Sequence, residues 1–368
     1  MIKSKDKFLF FFAIFALIPF LIPNKTNSFE INVFDKQKIN FINGKELNND
    51  NLIITDNGRL VFKKISFPDL KKTSKIKVKA QLVSDGDPWD KSGSIFLLKS
   101  HPNSDQTNPI ELLRFITPFG VGHFSEIDRL DDYKPVYIPK WEKNISWEED
   151  ISHLASLFDN HEIWIGVWID SYHKDGFLMD VDLSINESDT LFDFIKKKNV
   201  TFINNTHKYS QKINGNHDFS QNQLINEFHI DKNIDNAKLY FITTGHGAHS
   251  EGDEFNQRNN IISLNDKELL IYPAWREDCA AFRRFNPSSG VWFVDTTWKG
   301  EKIKERIASS DYSRSNWCPG SKVSPVVIDL PTLKKGKNTI IIDIPNAQPT
   351  TEDFWNHWNI SSYLVYDN

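Results

Sequence analysis

Cysteine is nearly absent: the 368 residues hold two, Cys279 and Cys318. They offer no Cys/His spacing of the kind that holds zinc. In a cytosolic chain they would be unrelated thiols; in an exported one an even pair suggests one disulfide, worth roughly 2–4 kcal/mol for a loop of this length. Positive charge is not in excess either. Lys plus Arg total 44 against 49 Asp plus Glu, a net −5, whereas a nucleic-acid binder needs a basic stripe to neutralise phosphates. No nucleic-acid partner is expected, and clusters such as Lys196-Lys197-Lys198 read as solvated faces. No short repeat is visible. Helical periodicity is scarce; Ile151 to Phe158 is the best short helix, preceded by Ser146-x-x-Glu149, a capping-box pattern.

Strand signals fill the gap. Ile163, Ile165, Val167 and Ile169 alternate with Trp164, Gly166, Trp168 and Asp170, so the two sets face opposite sides of a sheet. The isoleucine face reads as core; the other presents two indoles and a carboxylate. Val181, Leu183 and Ile185 alternate likewise. Further strands are expected at Leu60–Phe62, Ile76–Leu82, Ser94–Leu98, Lys238–Thr243, Val326–Leu330, Thr339–Ile344 and Tyr363–Tyr366. Many short strands between turns indicate an all-β protein built from antiparallel sandwiches. Phe (28) and Trp (11) far outnumber Met (2), which fits a β-rich core and also a protein that handles sugars, whose apolar faces match flat rings.

The chain exceeds one ordinary domain, so two are expected. Lys3, Lys5 and Lys7 precede the apolar run Phe8 to Pro23, the pattern of a secretory signal. Residues 1–28 therefore read as a signal peptide or an uncleaved N-terminal anchor, and the protein as exported, periplasmic or secreted. Residues 187–222 are polar and Asn/Lys-rich and read as a linker or insertion. The domains are then 29–186 and 223–368.

Three segments carry candidate chemistry. Gly86-Asp87-Pro88-Trp89-Asp90-Lys91 is a loop before a strand; Asp90 there is either a general base beside an indole or a turn residue capping backbone amides. Thr244 to Phe255 follows a strand and concentrates glycines, His246, His249, Glu251, Asp253 and Glu254. The glycines permit close approach to a ligand, and His-x-x-His is weak evidence for a metal. Ser313 to Gly320 places Arg314 and Trp317 beside Cys318; Arg314 is able to orient a carboxylate or an oxyanion. Two carboxylates in separate domains suit a glycosidase as well as an amidase.

Taken in order, these segments resemble a family. Val33-Phe34-Asp35-Lys36, Trp89-Asp90, Arg114-Phe115-Ile116-Thr117-Pro118-Phe119, the glycine-rich loop ending in Glu254-Phe255, Trp317-Cys318-Pro319-Gly320 and Ile360-Ser361-Ser362-Tyr363-Leu364-Val365 are similar, collinearly, to bacterial peptide:N-glycosidase F. That resemblance implies two eight-stranded antiparallel jelly rolls side by side, with the site at their interface. It implies hydrolysis of the β-aspartylglucosylamine bond of N-glycosylated peptides or denatured glycoproteins by a monomer, without metal or cofactor. Asp90 matches the principal catalytic Asp and Glu254 an essential Glu; Arg314 matches a site Arg, and Cys279 with Cys318 a disulfide. The sequence departs where the family has a second Glu in its first domain. Straight alignment puts Trp168 there, and Asp170, two residues on and on the same sheet face, is the expected substitute. Lys91 replaces an Arg, His246 a site Trp, and Gly252 and Asn256 the cysteines that flank the family's Glu. Trp89, Lys91, Trp168, His246, Arg314 and Trp317 are expected to bind substrate. The competing readings are a lectin-like protein that no longer turns over and an endoglycosidase cutting within the chitobiose core.

Overall fold

A computed structural model describes residues 27–367 apart from 71–72, 105–106, 127–137, 139, 160, 189–194, 211–216 and 248–251. The expected leader, and His249 and Glu251, lie outside the described residues.

The first domain is a sandwich. One sheet runs, in order, Asn27–Ile39, Phe177–Glu187, Thr73–Ser84 and Ile145–Asp150. The facing sheet has seven strands: Lys322–Val323, Ile110–Ile116, Ser92–Leu98, Glu162–Ile169, Leu60–Ser66, Leu52–Thr55 and Leu47–Asn48. Neighbouring strands are antiparallel throughout. The alternation read from sequence sets the core: Ile163, Ile165, Val167 and Ile169 meet Val181, Leu183 and Ile185 between the sheets.

The second domain pairs two four-stranded antiparallel sheets. One runs Asn199–Asn205, His357–Tyr366, Lys238–His246 and Val326–Asp329; the other Leu224–Ile230, Gly336–Asp343, Arg258–Leu264 and Lys267–Ala274. Leu239, Phe241, Ile262, Ile340, Ile342 and Leu364 fill the space between them. A separate two-stranded ribbon, Val291–Trp298 with Glu301–Ala308, projects from this domain. Eight strands fit the second sandwich. The first has more, because it adds short edge strands and takes Lys322–Val323 from the second half of the chain.

Local readings needed correction in three places. Ser146 and Glu149 cap no helix: both lie in the Ile145–Asp150 strand, where Ile145 and Trp147 turn inward and Ser146 and Glu148 outward. Asp150 supplies the carboxylate before the short helix instead, accepting from the Ser152 amide at 3.0 Å and hydroxyl at 2.6 Å. The polar stretch 187–222 contains the strand Asn199–Asn205, laddered to His357–Tyr366, with Val200 and Phe202 packed on the first core and Ile203 in the second. Third, the second face of Glu162–Ile169 is closed. Tyr209 stacks on Phe96 with ring centres 4.2 Å apart and packs edge-on against Trp168, which is 1% exposed.

A buried polar cluster joins the domains. Arg114 donates to Glu111 Oε2 at 2.7 Å and Oε1 at 3.1 Å, and to the Asn359 carbonyl, which belongs to the second sandwich, at 2.5 Å. His207 Nε2 lies 3.3 Å from the same Glu111. Burial alone would raise the Glu111 pKa, but the charge of Arg114, with the neighbouring His207, more than offsets this and holds it far below the usual range. Burial lowers the His207 pKa, and Arg114 lowers it further.

Candidate active site at the domain interface

Three residues far apart in sequence converge where the sandwiches meet. Asp90 sits in the loop entering the Ser92–Leu98 strand. Asp87, not Asp90, performs the turn-capping role: its carboxylate accepts from the Trp89 amide at 3.0 Å and the Ser171 hydroxyl at 2.7 Å. Gly86, with φ +140°, closes this turn, and a Cβ there would lie 2.8 Å from that of Asp175. The loop's own scaffold thus leaves the Asp90 side chain for another purpose.

Glu254 follows the Lys238–His246 strand in the second domain. Its loop lacks the cysteines of the related pattern, yet it is pinned by the neighbouring Asp253. That fully buried carboxylate accepts from Arg258 Nε at 3.0 Å, the Gln348 amide at 2.9 Å and Trp358 Nε1 at 2.9 Å. The Ser315 amide donates to the Glu254 carbonyl at 2.9 Å. Gly247, with φ +150°, is required, since a Cβ would sit 2.1 Å from Asn356 Oδ1.

Arg314 lies between the two acids. Its Nε donates to Glu254 Oε1 at 3.1 Å, and its Nη2 is 3.8 Å from Asp90 Oδ2. Carbonyls of Ser309 and Tyr312 take further donors at 2.9 Å each. The guanidinium rests between Phe255 and Trp317, 5.1 and 4.9 Å from the ring centres. Trp317 is fixed by a 2.8 Å hydrogen bond to the Gly245 carbonyl, and the residue after it is tied by the Cys279–Cys318 disulfide. The Glu254 and Asp90 side chains keep only 11% and 18% exposure. Burial raises both pKa values against the opposing pull of Arg314; the charge of Asp90 adds to the rise at Glu254, and that of Asp87 to the rise at Asp90. Glu254 is pushed up to about 7.

The chain belongs to the peptide-N-glycosidase F family. Residues 30–185 match the model described as Peptide-N-glycosidase F, N terminal, and residues 214–365 its C-terminal counterpart. A structure described as PNGF-II in a P21 space group is 29% identical with a TM-score of 0.76; the alignment covers 93% of this chain and 66% of that one. The chain thus spans about two thirds of the length of that relative. PNGase F from Flavobacterium meningosepticum is 17% identical with a TM-score of 0.61, covering 93% and 96%, and shares the fold. No curated protein sequence matches significantly.

Other residues expected at the site fall into two groups. An open cleft of about 500 Å³ beside Glu254 is lined by Asp170, Tyr172, Lys208, His246, Trp355 and His357. Asp170 reaches it, held by Lys208 Nζ at 2.9 Å and Arg59 Nη1 at 3.2 Å. His246 stacks between Trp317 and His357, and burial keeps its pKa well below the ordinary value, so it is neutral near pH 7. Trp89 is 58% exposed, and Lys91 Nζ sits 6.0 Å over the Tyr172 ring. Trp168 and Trp317 do not present a face to a ligand. At 1% and 3% exposure they are buried, the first under Tyr209 and the second beneath Arg314. Sequence reasoning missed Lys208 and Trp355. Lys208 carried no signal, because its segment read as linker, whereas Trp355, in Asp353-Phe354-Trp355 before the last strand, was a visible aromatic cue.

Proposed function

We propose that the protein hydrolyses the amide between asparagine and the first sugar of N-linked glycans, releasing the glycan as a glycosylamine and leaving aspartate in the peptide. The observation that carries this is the convergence of Asp90 and Glu254, one from each sandwich, on the buried Arg314. Water attacks the asparagine side-chain carbonyl carbon. In its carboxylate form Asp90 accepts the water's proton, a contribution of typically 10²–10⁴-fold. Glu254, with a pKa near 7, is protonated in a large fraction of molecules at neutral pH and gives its proton to the departing nitrogen as the C–N bond breaks. Arg314 steadies the pair and offsets charge developing on the carbonyl oxygen.

The cleft beside Glu254 binds the sugars. Asp170, locked between Arg59 and Lys208, accepts from hydroxyls rather than transferring protons; His246 and Lys208 add polar contacts. Trp89, as expected from sequence, and Trp355 in place of the buried Trp168, both half exposed or more, supply the flat faces. The disulfide is compatible with an oxidising compartment, and we read the protein as exported and monomeric, acting on N-glycosylated peptides or denatured glycoproteins. Mass measurement of a high-mannose glycopeptide after incubation tests the reading. Conversion of Asn to Asp supports it; a retained GlcNAc stub would mean an endoglycosidase, and binding without any mass change a lectin.

A further inference from the structure

The ribbon Val291–Trp298 with Glu301–Ala308 contributes nothing to either sandwich core, yet it carries much exposed apolar surface. Period-2 alternation sorts its side chains. Trp292, Val294, Thr296 and Trp298 share one face with Ile303 and Ile307, opposite Thr296 and Trp292 in the register. The other face mixes charge with an exposed ring: Asp295 lies opposite Lys304, Thr297 opposite Lys302, and Phe293, 61% exposed, opposite Arg306. Trp298 is 65% exposed and Ile303 42%. An isolated hairpin is marginal in water, and here the root is secured. Both ends lie within the loop closed by Cys279–Cys318, and the Ser309 amide donates to the Gly290 carbonyl at 2.9 Å.

The apolar face starts at the active site. Trp292 packs against Phe255 and Tyr312, with ring centres 5.2 and 4.7 Å apart, and Phe255 follows Glu254 and underlies Arg314. From Trp292 to Trp298 the strand extends this surface by roughly 20 Å. The polar cleft with Asp170, His246 and Lys208 lines another wall at Glu254. Glu305, opposite Val294, and Glu301, opposite Trp298, edge this face; the aliphatic surface of Ile303 and Ile307 beside the indoles matches the apolar side chains that an unfolded polypeptide brings. Among the described residues each ribbon strand also pairs only with the other, leaving outer edges to which an extended chain can add by backbone hydrogen bonds.

We infer that the ribbon is a docking arm for the polypeptide of an unfolded glycoprotein, engaging apolar residues flanking the glycosylated asparagine through the Trp292–Trp298 face. This rests on the amidase reading for the direction of the substrate, and the two can fail separately. The test uses the full-length protein and the double variant Trp298→Ser/Ile303→Ser, whose positions are exposed and remote from Arg314. Cleavage of a reduced, carboxymethylated glycoprotein is compared with that of a tripeptide bearing the same glycan. Expected is a loss of about tenfold in kcat/KM on the long substrate, typical of removing aromatic anchors, and a change of less than about twofold on the tripeptide. The unchanged tripeptide rate and thermal midpoint report an intact fold. Equal losses on both, or none on either, would overturn the inference, as would a loss that follows glycan size rather than peptide length. Capture on immobilised, unglycosylated, carboxymethylated albumin needs no turnover. Wild type should bind and the variant should not; equal binding refutes the arm even if the protein proves not to be an amidase. A ribbon-mediated dimer in sedimentation, abolished by the variant, would also refute it.

Discussion

Arg314 touches both acids, yet the acids differ in what they contribute, and substitution separates them. Asp90→Asn removes the base while keeping shape and hydrogen bonding; glycopeptide turnover is expected to fall at least about 10²-fold with binding intact. Full activity in that variant would remove Asp90 from the mechanism. Glu254 makes a pH prediction. Its folded pKa of about 7 lies above the ordinary 4.5, so between these values the native state holds a proton that the unfolded chain releases. Stability therefore falls as pH rises from about 4.5 to about 7. In Glu254→Gln this component is gone. The variant's melting temperature relative to wild type should climb across that window, whatever the constant offset from altering the Arg314 contact. Asp253 has a different role. It satisfies three buried donors, so Asp253→Ala should cost about 2–4 kcal/mol in urea unfolding and raise KM by loosening the loop that carries Glu254.

At the scale of elements, strands with strict alternation were legible, since burying one face leaves period 2 in the sequence; Glu162–Ile169 and Phe177–Glu187 are examples. Asn199–Asn205 was not. Its apolar residues are divided between two cores, Val200 and Phe202 on the first and Ile203 in the second, and a register shift between Phe202 and Asn204 interrupts the alternation. Lys208, a few residues further in the same polar stretch, escaped notice with it. The buried state of Trp168 was hidden because its cover, Tyr209, lies about 40 residues away in a segment without pattern. Asp90, Glu254 and Arg314 each stood out in their own segments, but that they form one site was readable only through the collinear resemblance, as their convergence depends on how two sandwiches dock. The disulfide, by contrast, followed from counting. Cys279→Ala/Cys318→Ala should lose about 2–4 kcal/mol, read by denaturant unfolding. It should also lower kcat, because Arg314 and Trp317 sit just before the tie.

For the whole molecule, the decisive contact is the buried cluster at Arg114. Arg114→Met leaves Glu111 without its cation in a site where neither is exposed, a change expected to cost about 3–5 kcal/mol. Calorimetry should show the loss. Because Arg114 also holds the Asn359 carbonyl of the second sandwich, the single unfolding transition of the wild type should broaden or divide in the variant.

The Lys322–Val323 strand has a consequence for biosynthesis. It pairs with Phe115 and Arg114 at the edge of the first sandwich, although it is made more than 200 residues later. A nascent first half therefore waits with an open strand edge, a template for wrong pairing, until most of the second half has emerged. Arg314, which joins Asp90 to Glu254, lies just before this strand, so a chain cut short of both has neither a complete sheet nor a complete site.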